Sequence, residues 1–197
     1  PMADMGRAWK TSNNLRPIAQ EFKGELTWSG TVYPSHAIEL AKKSEKAGAD
    51  GNMIVTPYYN KPTQAGILTH FRMIADATDL PVILYDIPGR TGVPIKYETI
   101  LRASKHPNIV AVKDAKGDLA EVSRVLNQTD LYYFCGDDAL VLPSLAIGAT
   151  GLIGVTANIA PMPYRHIVDA VNAGDLKAAT AAHKSLEPLV RATMTHV

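Results

Sequence analysis

The chain has 197 residues, 46% of them hydrophobic, with 20 basic against 19 acidic side chains, enough to bury one sizeable core as a single domain. A near-zero net charge with no basic stripe of interleaved aromatics leaves no nucleic-acid footprint, and no apolar run is long enough to cross a bilayer. The single cysteine, Cys135, excludes an intrachain disulfide framework. With no basic region followed by an apolar stretch near the start, the expectation is a cytoplasmic protein whose partners are small molecules and copies of itself.

Short apolar, β-branched segments at residues 26–30, 52–56, 81–86, 109–113, 131–135 and 151–156 predict six strands. Between the first two, residues 35–47 predict a helix that opens on Ser35, carries Ala37, Ile38 and Ala41 on one face and stops at Gly48. Residues 63–78 predict the next, with Ile67, Phe71, Ile74 and Ala75 at helical spacing. Helical patterns also follow the fourth, fifth and sixth strands, and the tail, residues 175–197, is expected to be helical with Ala178, Ala181, Leu186 and Leu189 loosely periodic. Strands alternating with helices argue for a parallel sheet, and periodicity alone leaves a (β/α) barrel and a doubly wound sheet equally open.

Polar residues decide between them. Tyr58 and Tyr59 follow the second strand, Tyr85 and Arg90 the third, Lys113 the fourth, Gly136, Asp137 and Asp138 the fifth, and Asn158 the sixth. A barrel converges all strand ends on one face, whereas an open sheet concentrates its site at one switch point, so this distribution favours the barrel.

Lys113 ends the run Ile109-Val110-Ala111-Val112-Lys113-Asp114-Ala115, apolar enough to be expected buried on both faces. Desolvation disfavours the charged ammonium and frees a lone pair, so an amine held there is a candidate nucleophile for Schiff-base formation with a keto acid. The alternative is a lysine that ends a strand and reaches into solvent. Asp137 and Asp138 do not make a metal pair, because neighbours on a strand point opposite ways and no further ligand cluster stands at the right spacing. The glycine-bearing turns at residues 89–92 and 148–151 lack the strand-helix phosphate fingerprint, so no nucleotide cofactor is expected.

Five motifs now stand in order: Thr56-Pro57-Tyr58-Tyr59-Asn60-Lys61-Pro62, Tyr85-Asp86-Ile87-Pro88-Gly89-Arg90-Thr91-Gly92, Val112-Lys113-Asp114-Ala115, Gly136-Asp137-Asp138-Ala139 and Gly148-Ala149-Thr150-Gly151-Leu152-Ile153. Together they resemble the dihydrodipicolinate synthase family, within the pyruvate-dependent class I aldolase and lyase superfamily that includes N-acetylneuraminate lyase. The resemblance implies a (β/α)8 TIM barrel and the condensation of pyruvate with L-aspartate 4-semialdehyde in lysine biosynthesis. No cofactor is implied beyond the covalent Schiff base of pyruvate on Lys113. Tyr85 matches the proton-relay tyrosine, and Tyr59 the tyrosine donated across a tight dimer, so a homo-oligomer built as a dimer of such dimers is implied. Arg90 matches the arginine that holds the carboxylate of the aldehyde, suited by its planar fork. Ile153 matches a residue whose backbone carbonyl lies near bound pyruvate, and Gly136 lies in a neighbouring substrate-binding motif. His36 stands where strongly lysine-inhibited members carry an acidic residue, which implies weak feedback inhibition.

The chain also departs from the family. Its Thr-Thr-Gly-Glu motif, which binds the pyruvate carboxylate and supplies a relay hydroxyl, does not occur in this sequence. By position, Pro1 falls just beyond that motif. The expectation is therefore a partial barrel over residues 1–174 that lacks its first strands, with residues 1–27 atypical, and the start of a truncated C-terminal helical region at 175–197. Two competing readings are a related pyruvate aldolase with another aldehyde, against which Arg90 argues, and a non-catalytic homologue in which Lys113 is a relic.

Overall fold

The computed structural model describes residues 36–194. The strand expected at 26–30, the atypical opening segment 1–27 and residues 195–197 lie outside the described residues.

Among the described residues five strands form one parallel sheet: β1 (Asn52–Val55), β2 (Val82–Asp86), β3 (Ile109–Asp114), β4 (Tyr132–Cys135) and β5 (Gly151–Leu152). They lie in the order β1-β2-β3-β4-β5, so each crossover steps to the next strand in the same direction. A doubly wound sheet reverses that direction at its switch point, and these five strands contain no reversal.

The crossovers are helical. In chain order the helices are α1 (His36–Lys46), α2 (Gln64–Ala75), the single turn α3 (Pro88–Thr91), α4 (Tyr97–Ala103), α5 (Leu119–Leu126), α6 (Val141–Ala146), α7 (Pro161–Asn172) and α8 (Leu176–Met194). Local chemistry sets several starts: Thr63 accepts from the N–H of Gly66 at the head of α2, and Asp118 from that of Glu121 in α5. Helices cover one face of the sheet. Val82, Leu84, Val112 and Tyr133 pack there against Ile67, Phe71, Ile100 and Val125. A second cluster, with Val141, Leu145, Tyr164, Ile167, Leu186 and Val190, joins α6, α7 and α8.

Among the described residues the opposite face of the sheet is the more open one, and the expectation that β3 is buried on both sides holds there for Ala111 but only in part for Lys113, which is half-buried. Side chains alternate along a strand, so Val112 and Asp114 point into the helical layer while Lys113 points the other way. Met53, Val55 and Tyr132 are exposed, and Lys113 and Tyr85 are half-buried. A register irregularity where Val82 and Ile83 pair with Ile109 and Ala111 shifts the alternation within the valine-rich run, and that run is what made β3 read as uniformly buried.

The sixth predicted strand is also shorter than expected, two residues rather than six. Asp138 accepts from the N–H of Val155 at 2.9 Å and of Thr156 at 3.1 Å, taking those amides away from the sheet and leading the chain into a 3-10 turn, Thr156–Asn158.

Candidate active site

Two neighbouring strand ends create the chemical centre. Tyr85 pairs with Lys113 in the β2–β3 register, so both side chains leave the sheet on its open face. There the Lys113 Nζ lies 3.9 Å from the centroid of the Tyr85 ring, where the ring quadrupole favours a cation. The Tyr85 carbonyl accepts from the N–H of Thr56 at 3.2 Å, and that of Asp86 from Ala115 N–H at 2.8 Å, so the ladder runs on past both residues.

The next strands approach this centre closely. The N–H of Gly136 donates to the Asp114 carbonyl at 2.6 Å, and a Cβ on Gly136 would lie 2.9 Å from that same oxygen. Only glycine lets the end of β4 come so near β3. The N–H of Ile153 donates to Cys135 at 2.9 Å, extending β4–β5 pairing. Tyr85, Lys113, Gly136 and Ile153 thus stand at or just past the C-terminal ends of four consecutive strands.

Tyr59 and Arg90 lie on loops instead. Tyr59 is 70% exposed and its neighbour Tyr58 59%, and Arg90, on α3, is exposed as well. The two loops touch through Lys61: a Cβ on Gly92 would lie 3.1 Å from its Cε. Asp137 and Asp138 serve separate turns, Asp137 accepting from the N–H of Ala139 at 2.9 Å while Asp138 holds Val155 and Thr156.

Behind the centre, on the helical side, lies a buried charge cluster that the sequence reading did not assign. Lys116 Nζ is 3.2 Å from Asp86 Oδ2 and 4.0 Å from Asp114 Oδ2, and it also pairs with Glu121. Tyr133 donates its hydroxyl to Asp114 Oδ2 at 2.6 Å, and Asp114 Oδ1 accepts from the N–H groups of Lys116 and Gly117. Asp86 Oδ1 accepts from the N–H of Ile95, whose carbonyl in turn receives Lys116 Nζ.

Burial pushes the Asp86 carboxyl up to about 6, opposed by the nearby Lys116. Burial alone would lower Lys116, but the carboxylates of Glu121, Asp86 and Asp114 outweigh it and raise the ammonium above its usual value. Lys116 is therefore held in its charged form on the helical side, while the Lys113 amine lies on the open face. The signal was present in sequence: aspartate is depleted in strands, yet Asp86 and Asp114 each follow a site residue, and alternation sends them to the opposite face.

The sequence model of the Dihydrodipicolinate synthetase family matches residues 20–196. The chain belongs to this family. Among curated members it is 55% identical over 170 residues to the 4-hydroxy-tetrahydrodipicolinate synthase of Kineococcus radiotolerans, covering 86% of this chain and 55% of that protein. It is 54% identical over 160 residues to the enzyme of the same name from Acidothermus cellulolyticus, covering 81% and 52%. The chain thus spans about half the length of the curated relatives it matches. Among solved family members, the synthase of Methylacidiphilum fumariolicum superposes with a TM-score of 0.80 at 40% identity, covering 82% of this chain and 55% of that one. The protein from Cyanidioschyzon merolae, solved with lysine bound, gives 0.78 at 41% identity, covering 80% and 54%.

Proposed function

We propose that this chain is the larger part of the catalytic face of a 4-hydroxy-tetrahydrodipicolinate synthase, an eight-stranded (β/α) barrel in its full form, acting in the cytoplasm as a homo-oligomer. The observation that carries this reading is the Lys113 amine over the Tyr85 ring at adjacent strand ends, on the face away from the helices, in a member of this family.

The Lys113 amine attacks the ketone of pyruvate, and loss of one water leaves an imine. Removal of a proton from the pyruvate methyl group gives an enamine, whose carbon attacks the aldehyde of L-aspartate 4-semialdehyde while the aldehyde oxygen takes up a proton. The amino group of the second substrate then adds to the imine carbon and displaces Lys113, closing the ring and releasing the amine. Tyr85 is the proton carrier for these steps, which require a group that accepts a proton at one stage and returns it at another. The imine serves as the electron sink, so no separate cofactor is required.

Arg90 holds the carboxylate of the aldehyde substrate from its loop, Tyr59 reaches the neighbouring subunit's site, and Gly136 and the Ile153 carbonyl border bound pyruvate. In the family the pyruvate carboxylate and the last relay hydroxyl fall to a Thr-Thr-Gly-Glu motif that does not occur in this sequence. A non-catalytic homologue would have no need for a lysine that has no carboxylate partner among the described residues beside a second, neutralised one. Borohydride reduction of the intact protein with pyruvate, followed by peptide mapping, tests the assignment: the adduct is expected on Lys113. An adduct on Lys61 or Lys116, or no adduct, would overturn it.

A further inference from the structure

Lys116 touches the residue that follows each of the two central residues. Its ammonium reaches Asp86, the residue after Tyr85, and Asp114, the residue after Lys113. It also donates to the carbonyl of Ile95 at 3.2 Å, in the segment that follows the Arg90 loop. Asp86 closes the same loop by accepting from Ile95 N–H at 3.1 Å. Asp114 is in turn tied to β4 through the Tyr133 hydroxyl. Both aspartates are buried, at 0% and 5% exposure, so these contacts act where water does not weaken them.

We propose that Lys116 and Asp86 are positioning residues: their ion pair locks the ends of β2 and β3 from behind and thereby sets the Lys113 amine against Tyr85, a role that rests on the synthase reading above. The pair touches no substrate. It acts through the backbone, because Asp86 and Tyr85, like Asp114 and Lys113, are consecutive residues on opposite faces of their strands.

The device is also sensitive to pH. The titratable groups facing one another are Asp86 from β2, Asp114 from β3, Lys116 from the following loop, Glu121 from α5 and Tyr133 from β4, with the Cys135 thiol of β4 kept neutral by burial. Among them Asp86 is the carboxyl raised to about 6. As pH falls through that value it gains a proton, the ion pair is lost and the lock loosens.

The test uses the intact protein, Asp86→Asn and Lys116→Met, each checked for folding by thermal melting. Two rates are followed from pH 5 to 9: borohydride trapping of pyruvate, and competitive acetylation of Lys113, which needs no substrate. The unsubstituted protein is expected to show an inflection near pH 6 in both. Asp86→Asn should abolish that inflection and lower the trapping rate at pH 8 by about tenfold, the equivalent of one charge-assisted contact, with the KM for pyruvate little changed. Lys116→Met should move the inflection upward, since Asp86 and Asp114 lose their shared cation. An inflection that persists in Asp86→Asn, or an unaltered rate, overturns the proposal, and this isosteric variant decides the matter if Lys116→Met does not fold. Loss of pyruvate trapping in the unsubstituted protein with the acetylation inflection intact would instead refute the synthase reading while leaving the lock in place.

Discussion

The carboxylate of Asp138 occupies the space that a side chain on Gly154 would need, since a Cβ there would lie 2.5 Å from Oδ1. Asp138 is buried and already committed to the N–H groups of Val155 and Thr156, so it cannot swing aside without leaving them unpartnered. Gly154→Ala is therefore expected to destabilise the fold by about 1–3 kcal/mol, the usual cost of overpacking. Urea unfolding checks this through a lowered midpoint with unchanged slope. An unaltered midpoint would mean that the turn relaxes freely.

Arg90→Ala should separate the two halves of the reaction. Its exposed guanidinium is assigned to the aldehyde's carboxylate, and one bidentate charge-assisted contact is worth about 1.5–3 kcal/mol. In the intact enzyme kcat/KM for L-aspartate 4-semialdehyde should fall by that equivalent, while borohydride trapping of pyruvate keeps its rate. Equal damage to both would remove Arg90 from this role.

Tyr59 should work in the neighbouring subunit. When Tyr59→Phe and Lys113→Ala forms of the intact protein are refolded together, each heterodimer has one site with both an intact Lys113 and an intact partner tyrosine. Random pairing then restores about a quarter of the unsubstituted activity from two nearly inactive parents. Verified heterodimers that stay inactive would show that Tyr59 serves its own subunit or none.

Asp86 should make folding stability depend on pH in a direction opposite to that of most carboxylates. Its folded-state value, about 6 against an ordinary 3.8, means that the native chain binds the proton more tightly than the unfolded one. Stability is then greatest below the unfolded value and declines as pH rises through 6, by at most about 3 kcal/mol. Denaturant titrations at pH 5 and pH 8 should reveal the decline, and Asp86→Asn should reduce it. A stability gap that the substitution leaves intact would locate the effect elsewhere.

Much of this arrangement is legible in the residues alone. The apolar runs around Leu84 and Val112 announce parallel strands, and the polar residues that end them place Tyr85 and Lys113 at one edge. The β5 boundary is not legible, because Val155 and Thr156 read as strand residues while the group that takes their amides, Asp138, lies 17 and 18 positions earlier. Lys116 is hidden for the same reason. Its partners come from β2, β3 and α5, and only the fold brings three carboxylates to one ammonium. The partial exposure of Lys113 in β3 is not legible either, because Val110 and Val112 suggest burial regardless of which side each one takes.

Lys113 and Asp114 are adjacent in the chain and opposite in the sheet. A one-residue slip of β3 would present a carboxylate to the substrate side and push an ammonium into the helical core. Substitutions at the other positions of this strand leave that arrangement in place, but a single-codon insertion or deletion within it would exchange the proposed nucleophile for its anchor in one event. Descendants of this gene should therefore accumulate replacements in β3 while keeping its length fixed, even in lineages whose loops have grown or shrunk.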